Sequence, residues 1–357
     1  MTADAVGGVW SYATRLCRAL PEIRFVLATM GPRPLPPQYD EITSLDNTIL
    51  VETSYSLEWM VSGSDDFAES CDGLLKLAEY YEADVLHVNG YAHARLGTDR
   101  PVLVVAHSDV LSWWRAVHKR SPPPEWDRYR ERAAAGLAAA TRIVAPTAAV
   151  LRDLERHYGR LESATKVIPN GVDLTAFPRS PKAPVAMAAG RIWDAAKNLS
   201  LLEAIAPDLL WPVEIAGDVE HPEGGAARYS NVRLLGRLSS AEMPCELGRA
   251  AIFVAPARYD PFGLAILEAA AAGCALVLGD IPSLRENWDG AAVFVGPEDR
   301  SALTSAVNVL IANPRERSRV AAAVQRRARE FTLPRMARAY AALYRDMART
   351  SARLEPA

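Results

Sequence analysis

The sequence predicts an α/β protein built from two doubly wound parallel-sheet domains. Three observations carry this reading. Short apolar, β-rich runs recur along all 357 residues, with helical patterns between them. Runs such as Val102–His107 and Ile252–Ala255 are apolar on both faces, as strands covered by helices on both sides must be. The length fits about two domains of ~150 residues.

In the first half the expected strands are Arg24–Thr29, Asp84–Asn89, Val102–His107, Arg142–Pro146 and Lys166–Pro169. In the second half they are Val185–Ala189, Val213–Gly217, Val232–Leu235, Ile252–Ala255, Ala275–Leu278 and Val293–Val295. Between the halves, Phe177–Pro184 carries Pro178, Pro181 and Pro184, which forbid both helix and central strand. The expected domains are therefore residues 1–177 and 178–333. Beyond them, Met336, Tyr340, Leu343, Tyr344 and Met347 recur at helical spacing over residues 334–349. One feature breaks the pattern. Gly7-Gly8 and the helix-like run Val9–Leu20 follow Met1 almost at once, so the strand that opens a doubly wound domain is expected to be missing. An empty central slot exposes two strand edges, and an upstream extension in the native gene is expected.

Composition excludes several classes. The net charge of -3 argues against a general nucleic-acid binder. No apolar run approaches the ~20 residues that cross a bilayer, and no secretory signal opens the chain. Cys17, Cys71, Cys245 and Cys274 are far apart and read as free thiols of a reducing cytoplasm. No G-x-G-x-x-G, G-K-[ST], G-x-S-x-G or H-E-x-x-H pattern occurs, and no Asp-x-Asp pair. Neither a cofactor nor a metal is expected.

The strongest motif is Arg258-Tyr259-Asp260-Pro261-Phe262-Gly263-Leu264-Ala265-Ile266-Leu267-Glu268, directly after a strand. Pro261 can open a helix, and Gly263 lets a ligand approach the backbone. A helix start offers bare N–H groups and a positive dipole end, which suit a diphosphate. Asp260 and Glu268 flank that position and can accept hydrogen bonds from sugar and ribose hydroxyls. An ordinary strand–loop–helix explains the same run, except that burying Glu268 in its apolar segment costs several kcal/mol unless something satisfies it. A second element is Arg191 and Lys197 after the strand Val185–Ala189, a cationic pair suited to a departing diphosphate. A third is Gly7-Gly8 at a helix start. A fourth is His107 at a strand C-terminus, the end that faces the crevice in open α/β sheets. A strand-end His satisfied by backbone is the plain alternative.

These residues resemble glycosyltransferase family 4, whose motif is a Glu, seven residues, then a second Glu, within E-P-F-G-L-x-x-L-E-A. Here the run is Asp260-Pro261-Phe262-Gly263-Leu264-Ala265-Ile266-Leu267-Glu268-Ala269, with Asp in place of the first Glu. The resemblance implies the GT-B fold, two Rossmann-like domains facing a central cleft, with the helix 334–349 crossing back to the first. It implies a retaining, metal-independent transfer from a UDP- or GDP-type sugar donor to a sugar or lipid-linked acceptor. Glu268 would bind the donor ribose and Asp260 the transferred sugar. Phe262, Gly263 and Leu264 would make backbone contacts. Arg191 and Lys197 would hold the distal phosphate, although their gap is one residue longer than usual. Gly7 and Gly8 would face donor phosphate and acceptor, and His107 the reacting sugar. A nucleotide-sugar epimerase of the same fold and a non-catalytic partner subunit are the alternatives.

Trp113, Trp114, Arg115, Lys119 and Arg120 form an aromatic, basic stretch. It is a candidate for acceptor binding or for peripheral contact with the inner face of the membrane. A helix pair with buried Trp and a solvated basic face is the plainer and preferred reading. The loop Tyr55–Asp66, with Trp59, is a second acceptor candidate.

Overall fold

In the computed structural model, residues 1–60, 66–177, 180–221 and 224–352 are described. Pro178 and Arg179 of the proline-rich stretch, and residues 61–65 of the loop Tyr55–Asp66, lie outside that set. Two compact units emerge. One comprises residues 1–115, 120–170 and 333–357, the other residues 116–119 and 171–332.

The second unit shows why parallel topology matters. Its strands are β8 (Ala183–Ala189), β9 (Val213–Ala216), β10 (Arg233–Gly236), β11 (Ala250–Ala255), β12 (Ala275–Gly279) and β13 (Val293–Val295). They pair in parallel in the order β10-β9-β8-β11-β12-β13. Counted within the unit, that is the 3-2-1-4-5-6 order of a Rossmann sheet, whose direction reverses between β8 and β11. Ligands bind such sheets at this switch point, outside the strand C-termini. The helices α7 (Leu199–Ile205), α8 (Glu242–Arg249), α9 (Leu264–Ala271), α10 (Pro282–Trp288), α11 (Arg300–Ala312) and α12 (Pro314–Ala328) alternate with the strands. Ile252, Val254, Leu276, Leu278 and Trp288 are buried with α9 and α12 residues in one core.

The first unit also pairs its strands in parallel, in two sheets ordered β1-β2-β3 and β4-β5-β6-β7, with β1 (Thr2–Asp4), β2 (Phe25–Met30), β3 (Thr48–Val51), β4 (Leu86–Val88), β5 (Val102–Val105), β6 (Arg142–Ala145) and β7 (Ala164–Val167). Its helices are α1 (Gly8–Ala19), α2 (Pro36–Thr43), α3 (Phe67–Tyr80), α5 (Asp127–Ala139) and α6 (Ala148–Tyr158), with α4 (Val110–His118) between β5 and β6. The closing helix α13 (Leu333–Ala352) buries Met336, Tyr340, Leu343, Tyr344 and Met347 in the same core as α1 and β2.

The expectation of a missing first strand is corrected here. Thr2–Asp4 pairs in parallel with Ala28, Thr29 and Met30. On its other side, the Asn89 backbone N–H donates to Thr2 Oγ1 (2.9 Å) and its side-chain amide to the Thr2 carbonyl (2.6 Å). A three-residue strand of sequence Thr-Ala-Asp lacks the β-branched apolar run that marks its neighbours. The central slot is filled by a strand paired through backbone to β2 and through the Thr2 and Asn89 side chains on the other side, which no hydropathy pattern announces.

The sheet ends demand glycine at one place in particular. Gly217, just past β9, has φ +148°, and a Cβ added there would sit 1.8 Å from the Gly190 carbonyl oxygen. Gly217→Ala is expected to destabilise the second unit by on the order of 1–3 kcal/mol. A chemical-denaturation midpoint indistinguishable from the parent would refute this close packing.

Candidate functional site

The candidate residues fall into two groups, one in each unit. In the second unit the group is built at the switch point, where β8 and β11 end. Gly190 and Arg191 follow β8. Asp194, almost fully buried, turns the loop: it accepts from Arg191 Nη2 at 2.6 Å and from the Ala196 backbone N–H at 2.9 Å. Asn198 adopts a left-handed conformation (φ 56°, ψ 31°). Its amide donates to the carbonyls of Pro256 (2.9 Å) and Pro297 (2.7 Å). From the β11 side, Arg258 donates its backbone N–H to the Ala196 carbonyl (2.8 Å) and a guanidinium N–H to that of Ala195 (3.0 Å). Glu298 holds the same guanidinium through two contacts, at 2.6 and 3.0 Å. These bonds stitch loop 191–198 onto loop 256–260.

The stitching sets Lys197 Nζ 2.7 Å from Asp260 Oδ2. Asp260 is held by two further bonds, and the next residues by a third. Its Oδ1 accepts from the Phe262 N–H at 3.2 Å, its carbonyl accepts from Ser283 Oγ at 2.5 Å, and Asn287 Nδ2 donates to the Phe262 carbonyl at 3.3 Å. Gly263 follows at φ 82°, a left-handed conformation, and opens α9 with no side-chain cap. By contrast, Asp299 and Asn313 accept N–H groups in the first turns of α11 and α12. The start of α9 thus keeps its backbone N–H groups for another partner.

One expectation, for Glu268, changes in detail, and that for Phe262 stays one of backbone contact. The Phe262 side chain is buried against Phe331, with ring centroids 5.8 Å apart, so only its backbone serves the site. Glu268 does not lie in the core. Ile266, Leu267, Ala269 and Ala270 are buried, whereas Leu264, Ala265 and Glu268 share a half-buried face of α9. The burial cost expected for Glu268 therefore does not arise, and its case rests on position alone. Arg191 lies with its guanidinium 5.2 Å from the Trp193 ring centre, and Trp193 meets His221 edge-on at 4.5 Å.

In the first unit, Gly7 (φ 96°) and Gly8 are exposed and start α1, again without a side-chain cap. His107 follows β5 by two residues. Its Nε2 lies 2.8 Å from Asn89 Oδ1, and the Tyr12 ring packs edge-on at 4.5 Å. Desolvation pushes the His107 pKa down to about 3, so the ring is neutral. Asn89, His87 and Asn198 carry much of this geometry and were not singled out from sequence. His87 sits inside a strand, and each Asn closes a loop through contacts distant in the chain. Glu58, in the loop 55–66, accepts the backbone N–H groups of Tyr91 and Ala92 at 2.9–3.1 Å, and burial pushes its pKa up to about 7. Trp113 and Trp114 are half-buried with rings 6.2 Å apart, and Arg115, Lys119 and Arg120 are exposed. Among the described residues no three His, Cys, Asp or Glu side chains converge to hold a metal. No described helix is long and apolar enough to cross a membrane.

The desolvated imidazoles predict how stability responds to acid. Desolvation lowers His87 well below its ordinary value, His93 to about 4 and His107 to about 3. In the unfolded chain each takes a proton near pH 6.5. Below that pH the unfolded state binds more protons, so stability falls as pH falls. Glu58, raised to about 7, works in the opposite sense between pH 7 and its unfolded value, but the imidazoles outnumber it. The denaturation midpoint is expected to decline from about pH 6.5 to about 4.5. The decline should be shallower in His107→Gln. An equal slope in the two proteins would contradict a neutral, half-buried His107.

Comparison with known proteins agrees with this architecture. The chain matches Glycosyltransferase Family 4 over residues 6–176 and Glycosyl transferases group 1 over residues 183–313. It is 28% identical over 231 residues to a phosphatidyl-myo-inositol mannosyltransferase of Mycobacterium tuberculosis, covering 57% of this chain and 61% of the relative. It is 31% identical over 257 residues to a D-inositol 3-phosphate glycosyltransferase of Geodermatophilus obscurus, covering 62% of this chain and 56% of the relative. A glycogen synthase of Mycobacterium tuberculosis is 40% identical over 99 residues, 27% of this chain and 22% of that protein. The chain thus spans at most about three fifths of the length of these relatives. Among solved structures, sucrose-phosphate synthase from Thermosynechococcus elongatus superposes with TM-score 0.79 at 17% identity, over 97% of this chain and 98% of that one. The Anabaena protein HepE in complex with UDP-glucose superposes with TM-score 0.76 at 15% identity, over 97% and 99%. Two consecutive matches covering most of the residues, on two Rossmann-like units, make this chain a member of glycosyltransferase family 4 with the GT-B fold.

Proposed function

We propose that this chain transfers a sugar from a nucleoside diphosphate-sugar to an acceptor hydroxyl, with retention at the anomeric carbon. The observation that carries the reading is the Lys197–Asp260 pair beside the uncapped start of α9, at the switch point of the second sheet. A diphosphate there meets three sources of positive potential: the Lys197 ammonium, the Arg191 guanidinium and the helix dipole. Each acts on charge that grows as the anomeric C–O bond breaks, which is where fixed cations lower a barrier. Asp260, its second oxygen fixed by the Phe262 N–H, accepts from a hydroxyl of the transferred sugar. Glu268, further along the half-buried face of α9, accepts from the ribose. The backbone N–H groups of Gly263 and Leu264 hold phosphate and sugar.

In the transfer itself, the bond from the anomeric carbon to the diphosphate oxygen breaks and a bond to the acceptor oxygen forms. The acceptor's proton passes to the departing phosphate oxygen on the same face, which leaves the configuration unchanged and needs no protein nucleophile. Gly7, Gly8 and His107 belong to the unit that takes the acceptor. A sugar or lipid-linked hydroxyl is the class proposed, in glycan, glycolipid or polysaccharide synthesis. HepE, of the same fold, is described with UDP and with UDP-glucose, which favours a uracil base for the first assays. Arg115, Lys119 and Arg120, exposed beside Trp113 and Trp114, supply the charge for peripheral contact with an anionic bilayer on the cytoplasmic side.

The test is a thermal-shift panel of UDP, GDP, ADP and their sugar conjugates. A ligand at a hundred times its Kd adds about 2.7 kcal/mol of stability. One nucleotide family should stabilise the parent and fail to stabilise Glu268→Ala. No shift with any of them would leave the donor site without support. Lys197→Ala is expected to lower turnover more than it weakens donor binding, because its charge acts mainly on the breaking bond. Equal turnover in parent and variant would remove Lys197 from the phosphate site.

A further inference from the structure

We propose that Asn89 and His87 are positioning residues that hold His107 as the Nε2–H tautomer, so that its Nδ1 faces the substrate as a hydrogen-bond acceptor. This rests on the reading of His107 as a substrate-facing residue. It adds what that reading leaves open, namely which ring nitrogen works, in which sense, and what fixes it.

The argument starts at the Thr2 carbonyl, which can only accept. Asn89 places one end of its side-chain amide 2.6 Å from that oxygen, and the end there must be the NH2. The Asn89 backbone N–H adds a second bond to Thr2 Oγ1 at 2.9 Å, so the residue is anchored at two points. Its Oδ1 then faces two imidazoles, His87 Nε2 at 3.1 Å and His107 Nε2 at 2.8 Å. A carbonyl oxygen gives no proton, so both rings carry theirs on Nε2. His87 has a second lock. Its Nδ1 lies 2.7 Å from the Tyr344 hydroxyl, which donates to it from α13, and Tyr340 stacks on the ring at 6.0 Å with planes 10° apart. The Tyr12 ring, edge-on to His107 at 4.5 Å, fixes the tilt of the other imidazole.

Nδ1 of a neutral His107 is therefore a lone pair. It accepts from a hydroxyl and repels a phosphate oxygen, so a sugar hydroxyl is the chemical class it selects. The ionisable groups that face the two rings are Tyr12 from α1, Tyr340 and Tyr344 from α13, and the Met1 amino group. Burial raises all three phenols and lowers the amine to about 6. None of these places a negative charge beside either imidazole, so nothing draws a second proton onto His107.

The test reads the tautomer directly. Long-range proton–nitrogen NMR of the ligand-free full chain reports which ring nitrogen carries hydrogen, with His107 assigned by the signals missing in His107→Gln. A proton on Nε2 and none on Nδ1, from about pH 6 to 8 where an ordinary His titrates, is the expected result. A protonated Nδ1 in the parent overturns the proposal. Asn89→Leu should mix the His107 tautomers and lower kcat roughly tenfold, the scale of one lost hydrogen bond, with nucleoside diphosphate affinity unchanged. A His107 spectrum identical to the parent's in that variant also overturns it. Should Asn89→Leu fail to fold, Tyr344→Phe removes a single hydroxyl and is expected to mix the tautomers of His87. An unchanged His87 spectrum there would remove α13 from the chain. The spectra need no substrate, so a chain that shows the Nε2–H ring but moves no sugar would sink the transfer reading and leave the tautomer standing.

Discussion

The Lys197–Asp260 ion pair joins side chains 63 residues apart in sequence, and the chemistry of the second unit depends on it. Parallel strands make that meeting possible, because β8 and β11 run side by side and release their chains at the same edge. The loops do the rest. Asp194 turns one of them, and Asn198 and Arg258 tie it to the other through bonds to backbone carbonyls. An ammonium and a carboxylate at 2.7 Å satisfy one another while no ligand is bound. In the proposed reading, a diphosphate draws the ammonium away and the carboxylate turns to a hydroxyl. Asp in place of the longer Glu suits this exchange, since the short side chain is braced by the Phe262 N–H and cannot follow the lysine far.

The two units solve a similar problem with different materials. Each presents a helix that starts on glycine without a side-chain cap, α9 after Gly263 and α1 after Gly7. The second unit surrounds its bare helix start with full charges, Arg191, Lys197, Asp260 and Glu268. The first carries instead a cluster of neutral groups, His107, His87, Asn89 and Tyr12. That division fits a unit that grips a diphosphate and a unit that grips hydroxyls, since charge attracts the one and lone pairs suit the other.

Much of this was legible in the sequence, for identifiable reasons. Buried parallel strands declare themselves because both faces must be apolar, which is why Val102–Val105 and Ala250–Ala255 lie where the runs predict. The helix-start motif is local, so Asp260, Gly263 and Glu268 keep the spacing that the linear pattern implies. What escaped is what depends on contacts distant in the chain. Thr2–Asp4 is a strand through its pairing with Ala28–Met30, not through its residues. Thr48–Val51 is half-buried and only four residues long, too little for a pattern. Asn89 and Asn198 look like ordinary turn residues until the carbonyls they reach are known. The direction of Phe262, into the core toward Phe331, follows from packing that no motif encodes.

The central claim is that Lys197 belongs to the diphosphate and Asp260 to the sugar, and that each holds the other until a donor arrives. Calorimetric titration of the stabilising nucleoside diphosphate into Asp260→Asn tests it most directly. The account predicts affinity equal to or tighter than the parent's, since the competing carboxylate is gone, together with impaired sugar transfer. A large loss of nucleoside diphosphate affinity in Asp260→Asn would contradict it, because Asp260 would then be part of the diphosphate site itself.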